Sequence, residues 1–167
     1  MTGAIFIDLR KAFDTLGHSQ IIESLSSFGI YDVERDLLLD YLFNRTQSVR
    51  IGTEISHTEK ITCGVPQGSI LGPLLFLVTF NEIKSALKHS QIITDADDTV
   101  IYTSGNSIDM IQTKLQSDFD RIYEWLESMD LVMNMKKGKI EVMLFGTARR
   151  ENKESTNKYE LQLLQDK

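Results

Sequence analysis

The sequence has 167 residues, of which 41% are hydrophobic and 25% are charged, a composition that suits one globular domain. The formal net charge of -6 argues against a generic nucleic-acid-binding domain, because such domains usually carry an excess of basic residues. A single cysteine excludes an internal disulfide, no signal peptide begins the chain, and no apolar run reaches the ~20 residues of a membrane span, so we expect an intracellular, non-secreted protein.

Hydrophobic periodicity and turn residues predict the following elements in chain order: a strand at 4–7, helices at 18–28 and 32–43, a hairpin around Gly52, a helix at 73–83, strands at 91–94 and 99–102, a helix at 108–126, and strands at 131–133 and 142–145. His18 and Ser19 are candidate caps for the first helix. The last helix has the clearest pattern, with Ser107 available as its N-cap. This order favours an α+β fold in which an antiparallel sheet packs on helices.

Acidic residues occur where two of the predicted strands end. Asp8 ends the first strand, and Asp97 and Asp98 lie at the turn between residues 94 and 99. If these strands are neighbours, the carboxylates converge at one sheet edge, where their mutual repulsion favours a bound cation. Oxygen ligands suit Mg²⁺, and polymerases and nucleases hold two such ions about 3.5–4 Å apart. The alternative is that Asp97 and Asp98 are ordinary turn residues, which Asp favours.

Three motifs occur in order at residues 6–15 (FIDLRKAFDT), 64–74 (GVPQGSILGPL) and 96–99 (ADDT). Together they closely resemble the reverse transcriptases of LINE-like (non-long-terminal-repeat) retrotransposons, and residues 131–139 and 142–147 look like the closing motifs of that family. The resemblance implies a polymerase palm with a ferredoxin-like or RRM-like core over residues 1–147. We expect residues 148–167 to be a polar, disordered tail, and the fingers and thumb of the family to be missing.

The resemblance also implies roles for the acidic residues. Asp8, Asp97 and Asp98 correspond to the catalytic carboxylates that hold two Mg²⁺ ions, for which Mn²⁺ can substitute. Asp95 departs from the family, which has an aromatic or otherwise apolar residue before Ala96. A third acid there adds like-charge repulsion beside two metal ligands, which places catalytic activity in question.

Further matches concern the substrate. Phe13 corresponds to the aromatic residue under the incoming sugar, and its alternative is a core aromatic. Lys137 or Lys139 corresponds to the palm lysine near the departing pyrophosphate, and solvated surface lysines are the alternative. Three residues match the loop that packs against the nascent base pair, although a helix-entry turn would use the same residue types: Pro66, Gln67 and Gly68.

The implied function is that of an RNA-directed DNA polymerase, which transfers nucleotides from a deoxynucleoside triphosphate to a primer 3′-hydroxyl on an RNA template. Such a protein would work in the nucleus or the cytoplasm. Two alternatives remain open: a catalytically inactive relic of a retroelement that acts as a binding module, and a metal-dependent nuclease that uses the same carboxylates. The sequence leaves the oligomeric state open.

Overall fold

The computed structural model describes residues 1–146, which divide into two compact units. The sheet unit consists of Met1–Arg10 and the described residues from Ile83 onward. The helical unit consists of Lys11–Glu82. The predicted tail at residues 148–167 lies outside the described residues.

The elements in chain order are β1 (Thr2–Ile7), α1 (Ala12–Thr15), α2 (His18–Ser27), α3 (Asp32–Leu42), β2 (Thr46–Gln47), β3 (Arg50–Ile51), β4 (Glu54–Ile55), β5 (Glu59–Lys60), α4 (Leu71–Phe80), β6 (Gln91–Asp95), β7 (Asp98–Ser104), α5 (Ile108–Ser128) and β8 (Ile140–Phe145). A 3₁₀ helix over Asn81–Ala86 follows α4. None of the helices within residues 1–146 combines the length and the apolar composition that crossing a membrane requires.

The sheet unit is built on four antiparallel strands in the order β6-β7-β1-β8. Helix α5 packs on the two central strands, β1 and β7, and buries one apolar face that includes Phe119 and Ile122. Ser107 caps this helix as predicted, because its hydroxyl accepts a hydrogen bond from the backbone N–H of Met110 at 3.3 Å. Gly3 permits the close approach of helix and sheet, since a side chain there would overlap Ile111.

The helical unit packs α2 against α3 and α4, with Ile21, Leu25 and Phe76 in its core. Two short, exposed strand pairs, β2 with β5 and β3 with β4, connect α3 to the later part of the unit. The pair β3–β4 turns at Gly52, which confirms the predicted hairpin.

Most predicted helices and strands are confirmed within a few residues, and three details differ. The cap of α2 is Gly17, while His18 is buried inside the helix with its Nε2 2.8 Å from the backbone oxygen of Gly64. Helix α4 ends at Phe80, so that Ile83 lies in the 3₁₀ helix. The short helix α1 was not predicted, because four residues show too little periodicity.

The predicted strand at 131–133 is wrong. Only an isolated bridge forms there, between Leu9 and Met133. The reason is that β8 pairs with β1 along its whole length, from Thr2 to Ile7. Residues 132–134 therefore meet only the short stretch beyond β1, which is too short for a ladder.

Candidate active site

The ends of the two central strands bring Asp8 and Asp98 together. Asp8 follows the last residue of β1, and Asp98 is the first residue of β7. The antiparallel register pairs Ile7 with Thr99, so its continuation by one residue sets Asp8 opposite Asp98 on the same face of the sheet. Both aspartates line a cavity of about 360 Å³, together with Lys139 and Glu141. The sheet register therefore juxtaposes two carboxylates that are 90 positions apart in the sequence.

Asp97 lies one residue earlier, in the turn itself. Ala96 and Asp97 form a two-residue connection between β6 and β7, closed by the pair Asp95 and Asp98. Ala96 has a φ of 54°, a left-handed conformation that costs a non-glycine residue roughly 1–2 kcal/mol. Within residues 1–146, the lining of the 360 Å³ cavity includes Asp98 but not Asp97. Backbone strain of this kind is common at functional sites, so its presence beside the paired carboxylates is consistent with one.

Two side chains contact the carboxylate of Asp8. The Asn134 side-chain amide donates a hydrogen bond from Nδ2 to Oδ2 at 2.6 Å. On the other side, Lys139 Nζ lies 3.5 Å from Oδ1. The Lys139 side chain is 49% exposed and that of Asp8 is 30% exposed, so this pair contributes only about 0–1 kcal/mol to stability. Among residues 1–146, Lys139 rather than Lys137 forms the ion pair with Asp8.

Sequence reasoning missed Asn134 and Glu141. Asn134 lies in the motif at residues 131–139, in which the family resemblance implies a role only for the lysines. It is 126 positions from Asp8, so no local pattern connects the two residues. One signal could have identified Asn134: it is a polar side chain directly after Leu131 and Met133, two apolar residues at alternate positions that are both buried.

The acidic pair fits a divalent cation. In residues 1–146, no three histidine, cysteine, aspartate or glutamate side chains are grouped closely enough to hold a metal ion by themselves. Mg²⁺ rarely needs such a cage, because it keeps several waters and usually binds one or two carboxylates together with substrate phosphates. Asp8 and Asp98 on one open cavity supply that donor set.

The predicted sugar-contacting residue, Phe13, belongs to the helical unit. Its ring stacks on that of Phe76 in α4, with centroids 4.3 Å apart and an interplanar angle of 29°. The residue as a whole is half-buried. The backbone N–H of Val65 donates to the Phe13 carbonyl at 2.8 Å, which joins Phe13 to the segment before the predicted loop.

The loop of Pro66, Gln67 and Gly68 is a tight turn at the entrance to α4. The Pro66 carbonyl accepts hydrogen bonds from the backbone N–H of Ser69 at 3.2 Å and from its hydroxyl at 2.6 Å. Gln67 Nε2 donates to Asp14 Oδ1 at 2.6 Å. Gly68 has a φ of 80° and no atom within 4 Å of the place where a Cβ would lie, so the backbone there is open to a ligand.

A cavity of about 550 Å³ adjoins this loop in the helical unit. Pro66 and Gln67 form part of its wall. Arg45 and Lys60 also line it, so that two cationic side chains accompany one acid, Asp14. In a chain whose net charge is -6, this cavity is a locally cationic surface.

Comparison with known proteins agrees with the motifs. Residues 1–161 match the family described as reverse transcriptase (RNA-dependent DNA polymerase). The chain is 29% identical over 140 residues to the RNA-directed DNA polymerase from mobile element jockey of Drosophila melanogaster, a match that covers 79% of this chain and 15% of that protein. It is 36% identical over 86 residues to the Pol polyprotein of the type-1 retrotransposable element R2 of Popillia japonica, covering 50% of this chain and 12% of the polyprotein.

Solved structures show the same fold at low sequence identity. Apo telomerase from Candida tropicalis superposes with a TM-score of 0.67 at 13% identity, over 85% of this chain and 28% of the telomerase chain. A telomerase from Candida albicans, solved with a fragment of telomeric RNA, gives a TM-score of 0.65 at 15% identity, over 88% of this chain and 27% of that one. This chain spans about 15% of the length of the jockey polymerase. The sequence relatives confirm the resemblance to retrotransposon enzymes, and the chain belongs to the reverse transcriptase family.

Proposed function

We propose that this chain forms the palm of an RNA-directed DNA polymerase, a nucleotidyltransferase that extends a primer 3′-hydroxyl on an RNA template. The observation that carries this proposal is the pairing of Asp8 with Asp98 on one cavity, in a chain of the reverse transcriptase family. The strand order supports it, because β6-β7-β1-β8 follows the order second, third, first, fourth of a ferredoxin-like core.

Asp8 and Asp98 would hold Mg²⁺, or Mn²⁺ in its place, with Asp97 at the adjacent turn contributing to a second ion. Ions bound there would stabilise charge on the attacking hydroxyl and on the departing pyrophosphate. Without a cation, the two carboxylates repel a triphosphate, so nucleotide binding and cation binding are coupled. Lys139 presents an ammonium group to the same cavity, where it can offset phosphate charge or donate a proton to the leaving group.

Residues of the helical unit correspond, by the family resemblance, to contacts with the nucleotide and with the nascent base pair. Stacking on Phe76 holds the Phe13 ring in a fixed position, so its bulk can exclude a 2′-hydroxyl from the incoming sugar. The open backbone at Gly68 allows a base pair to approach closely. Arg45 and Lys60, which line the 550 Å³ cavity, offer positive charge for contacts with the template phosphates.

The partners of such an enzyme are an RNA template, a DNA primer and deoxynucleoside triphosphates. All three are found inside cells, so the proposed site of action is the nucleus or the cytoplasm. Two cationic side chains and one acid line the 550 Å³ cavity, so its net positive charge is small. We therefore expect template binding by this chain alone to be weak and sensitive to salt.

A second candidate is a module that keeps the fold and binds partners without catalysis. Asp95 closes the hairpin directly opposite Asp98, at a position where the family has an aromatic or otherwise apolar residue. This third acid adds like-charge repulsion and can draw a cation away from the position between Asp8 and Asp98, which favours a module without catalysis. A metal-dependent nuclease would use the same carboxylates, but Phe13 and the Pro66–Gly68 turn favour polymerisation.

The test is primer extension by a chimera in which this chain replaces the matching segment of the jockey polymerase. The chimera should incorporate deoxynucleotides on an RNA template, and Asp8→Asn and Asp98→Asn should each lower the rate by about 100-fold or more. Asp36→Asn, which neutralises an exposed acid on α3, is the matched control and should retain the full rate. Equal incorporation by the chimera and its Asp8→Asn variant would reject the polymerase function. Cleavage of labelled RNA that depends on Asp8 would indicate the nuclease instead.

A further inference from the structure

The Asn134 side chain is fixed in one orientation against the carboxylate of Asp8. Its Nδ2 donates to Asp8 Oδ2 at 2.6 Å, while its Oδ1 accepts from the backbone N–H of Lys136 at 3.4 Å. A carboxylate can only accept hydrogen bonds, and the amide oxygen already faces a backbone donor, so both contacts require the same amide orientation. Asn134 is therefore set to hold one particular oxygen of Asp8.

Holding Oδ2 determines where the other oxygen lies. Oδ1 of Asp8 is the atom nearest Lys139, 3.5 Å from its Nζ, and Lys139 lines the cavity that Asp8 shares with Asp98. Oδ1 thus faces Lys139, a residue of the cavity lining, and Oδ2 faces Asn134. Rotation of the carboxylate would break the short hydrogen bond to Asn134.

We propose that Asn134 is a positioning residue that directs Oδ1 of Asp8 toward the cavity shared with Asp98, so that binding of a divalent cation depends on it. This inference rests on the proposed function, because it takes Asp8 as a cation ligand. Hydrogen-bonding partners of metal ligands typically change metal affinity by 10–100-fold when they are removed. Asn134 holds that relation to Asp8.

The positioning role can be separated from a role in folding. The segment around Asn134 is held by backbone hydrogen bonds, from Asn134 N to Asp8 O at 2.9 Å and from Arg10 N to Val132 O at 2.8 Å. Neither bond involves the Asn134 side chain. Leucine has the same branched heavy-atom skeleton as asparagine, and the Asn134 side chain is only half-buried, so Asn134→Leu should keep the segment in place while it removes the contact to Oδ2.

The first measurement is calorimetric titration of the full 167-residue chain with Mn²⁺. We expect Asn134→Leu to raise the Kd for Mn²⁺ about 10-fold. The control Asn106→Leu, at an exposed loop position, should change the Kd less than about twofold, and thermal unfolding of both variants verifies that they are folded. Asp8→Asn should abolish the site.

The second measurement needs no metal. The side-chain amide signals of Asn134 in an ¹⁵N-correlated NMR spectrum are assigned by their loss in Asn134→Leu. In an Asp8→Leu chain they should shift toward the positions of solvent-exposed asparagine side chains, whereas Asp36→Asn should leave them unchanged.

The outcomes distinguish the two proposals. If Asp8→Asn abolishes Mn²⁺ binding but Asn134→Leu leaves the Kd within about twofold, the positioning role is overturned and the proposed function stands. If wild-type and Asp8→Asn chains bind Mn²⁺ alike, the proposed function fails. Unchanged Asn134 amide signals in the Asp8→Leu chain would overturn the positioning contact whatever the metal result.

Discussion

The buried carboxylate of Asp118 supports the strand that leads into the acidic turn. Asp118 lies on α5 with no exposed surface. Its Oδ1 accepts the backbone N–H of Lys88 at 2.9 Å, and its Oδ2 accepts those of His89 at 2.9 Å and Ser90 at 2.6 Å. These three residues directly precede β6, whose last residue begins the turn beside Asp98. The carboxylate thus anchors the start of the hairpin that carries two of the candidate metal ligands.

Replacing this residue by asparagine should be severely destabilising. An amide has one acceptor oxygen, so if that oxygen accepts from His89 and Ser90, the new amino group faces the N–H of Lys88. The change removes a charge-assisted hydrogen bond, worth about 1.5–3 kcal/mol. It also leaves the new amino group, at the buried position 118, without an acceptor, which costs about 1–3 kcal/mol. We therefore expect Asp118→Asn to lower the free energy of unfolding by about 4 kcal/mol, or roughly 8–16 °C in Tm for a chain of this size.

The same contact predicts a pH dependence. Burial alone raises the pKa of Asp118, but the hydrogen bonds from Lys88, His89 and Ser90 outweigh it, so the pKa lies below its ordinary value of 3.8. A lowered pKa in the folded state means that the ionised carboxylate stabilises the protein fully above pH 3.8, and that this contribution is lost as the pH falls through the folded value. The stability difference between wild type and Asp118→Asn should therefore shrink in acid.

The assay is urea unfolding followed by circular dichroism at neutral pH and at several pH values below 5. Asp120→Asn is the matched control, because Asp120 lies two residues away on the same helix, is only half-buried and accepts a single side-chain hydrogen bond from Gln116 at 2.8 Å. It should cost less than about 1 kcal/mol. A loss in Asp118→Asn no larger than that of the control, or a difference that persists unchanged in acid, would refute the reasoning.

Three further variants test other contacts. Gly64 has a φ of 79°, and a methyl group there would lie 2.6 Å from a backbone oxygen of α1, whereas Gly29 has a φ of 80° in open space. Gly64→Ala should therefore cost at least about 1 kcal/mol more in urea unfolding than Gly29→Ala, and equal losses would contradict the overlap. Lys139→Met should change the free energy of unfolding by less than about 1 kcal/mol yet strengthen Mn²⁺ binding, because it removes a cation that competes for the carboxylate. Lys137→Met should leave both the free energy of unfolding and the Kd for Mn²⁺ nearly unchanged. In the chimera, Phe13→Val should raise incorporation of ribonucleotides relative to deoxyribonucleotides, and an unchanged ratio would argue against a role for this ring in sugar selection.

Local signals were enough to predict the elements whose hydrogen bonds form between neighbouring residues. The three- and four-residue spacing of apolar residues and the cap at Ser107 predicted α5, and both are confirmed. Gly52 predicted the exposed hairpin, because a tight turn needs a positive φ there. The segment at 131–133 forms no strand, although buried and exposed residues alternate there as in a strand, because its possible partner β1 is already paired with β8.

The motifs also predict the acidic residues of the candidate site, since those residue types follow one another in a recognisable order along the chain. They could not show which carboxylates share a cavity. That depends on the register between β1 and β7, which sets Asp8 opposite Asp98 and leaves Asp97 in the turn.

Periodicity, caps and short motifs act over a few neighbouring residues, and for that reason the longer helices, the main strands and the family could be predicted before the structure. The partners of the buried and half-buried polar groups, in contrast, depend on how distant segments pack. Asp118 caps a segment 28 to 30 positions away, and Asn134 holds a carboxylate 126 positions away. A polar side chain that leaves water must find a hydrogen-bonding partner, and the packing of distant segments determines which one it meets.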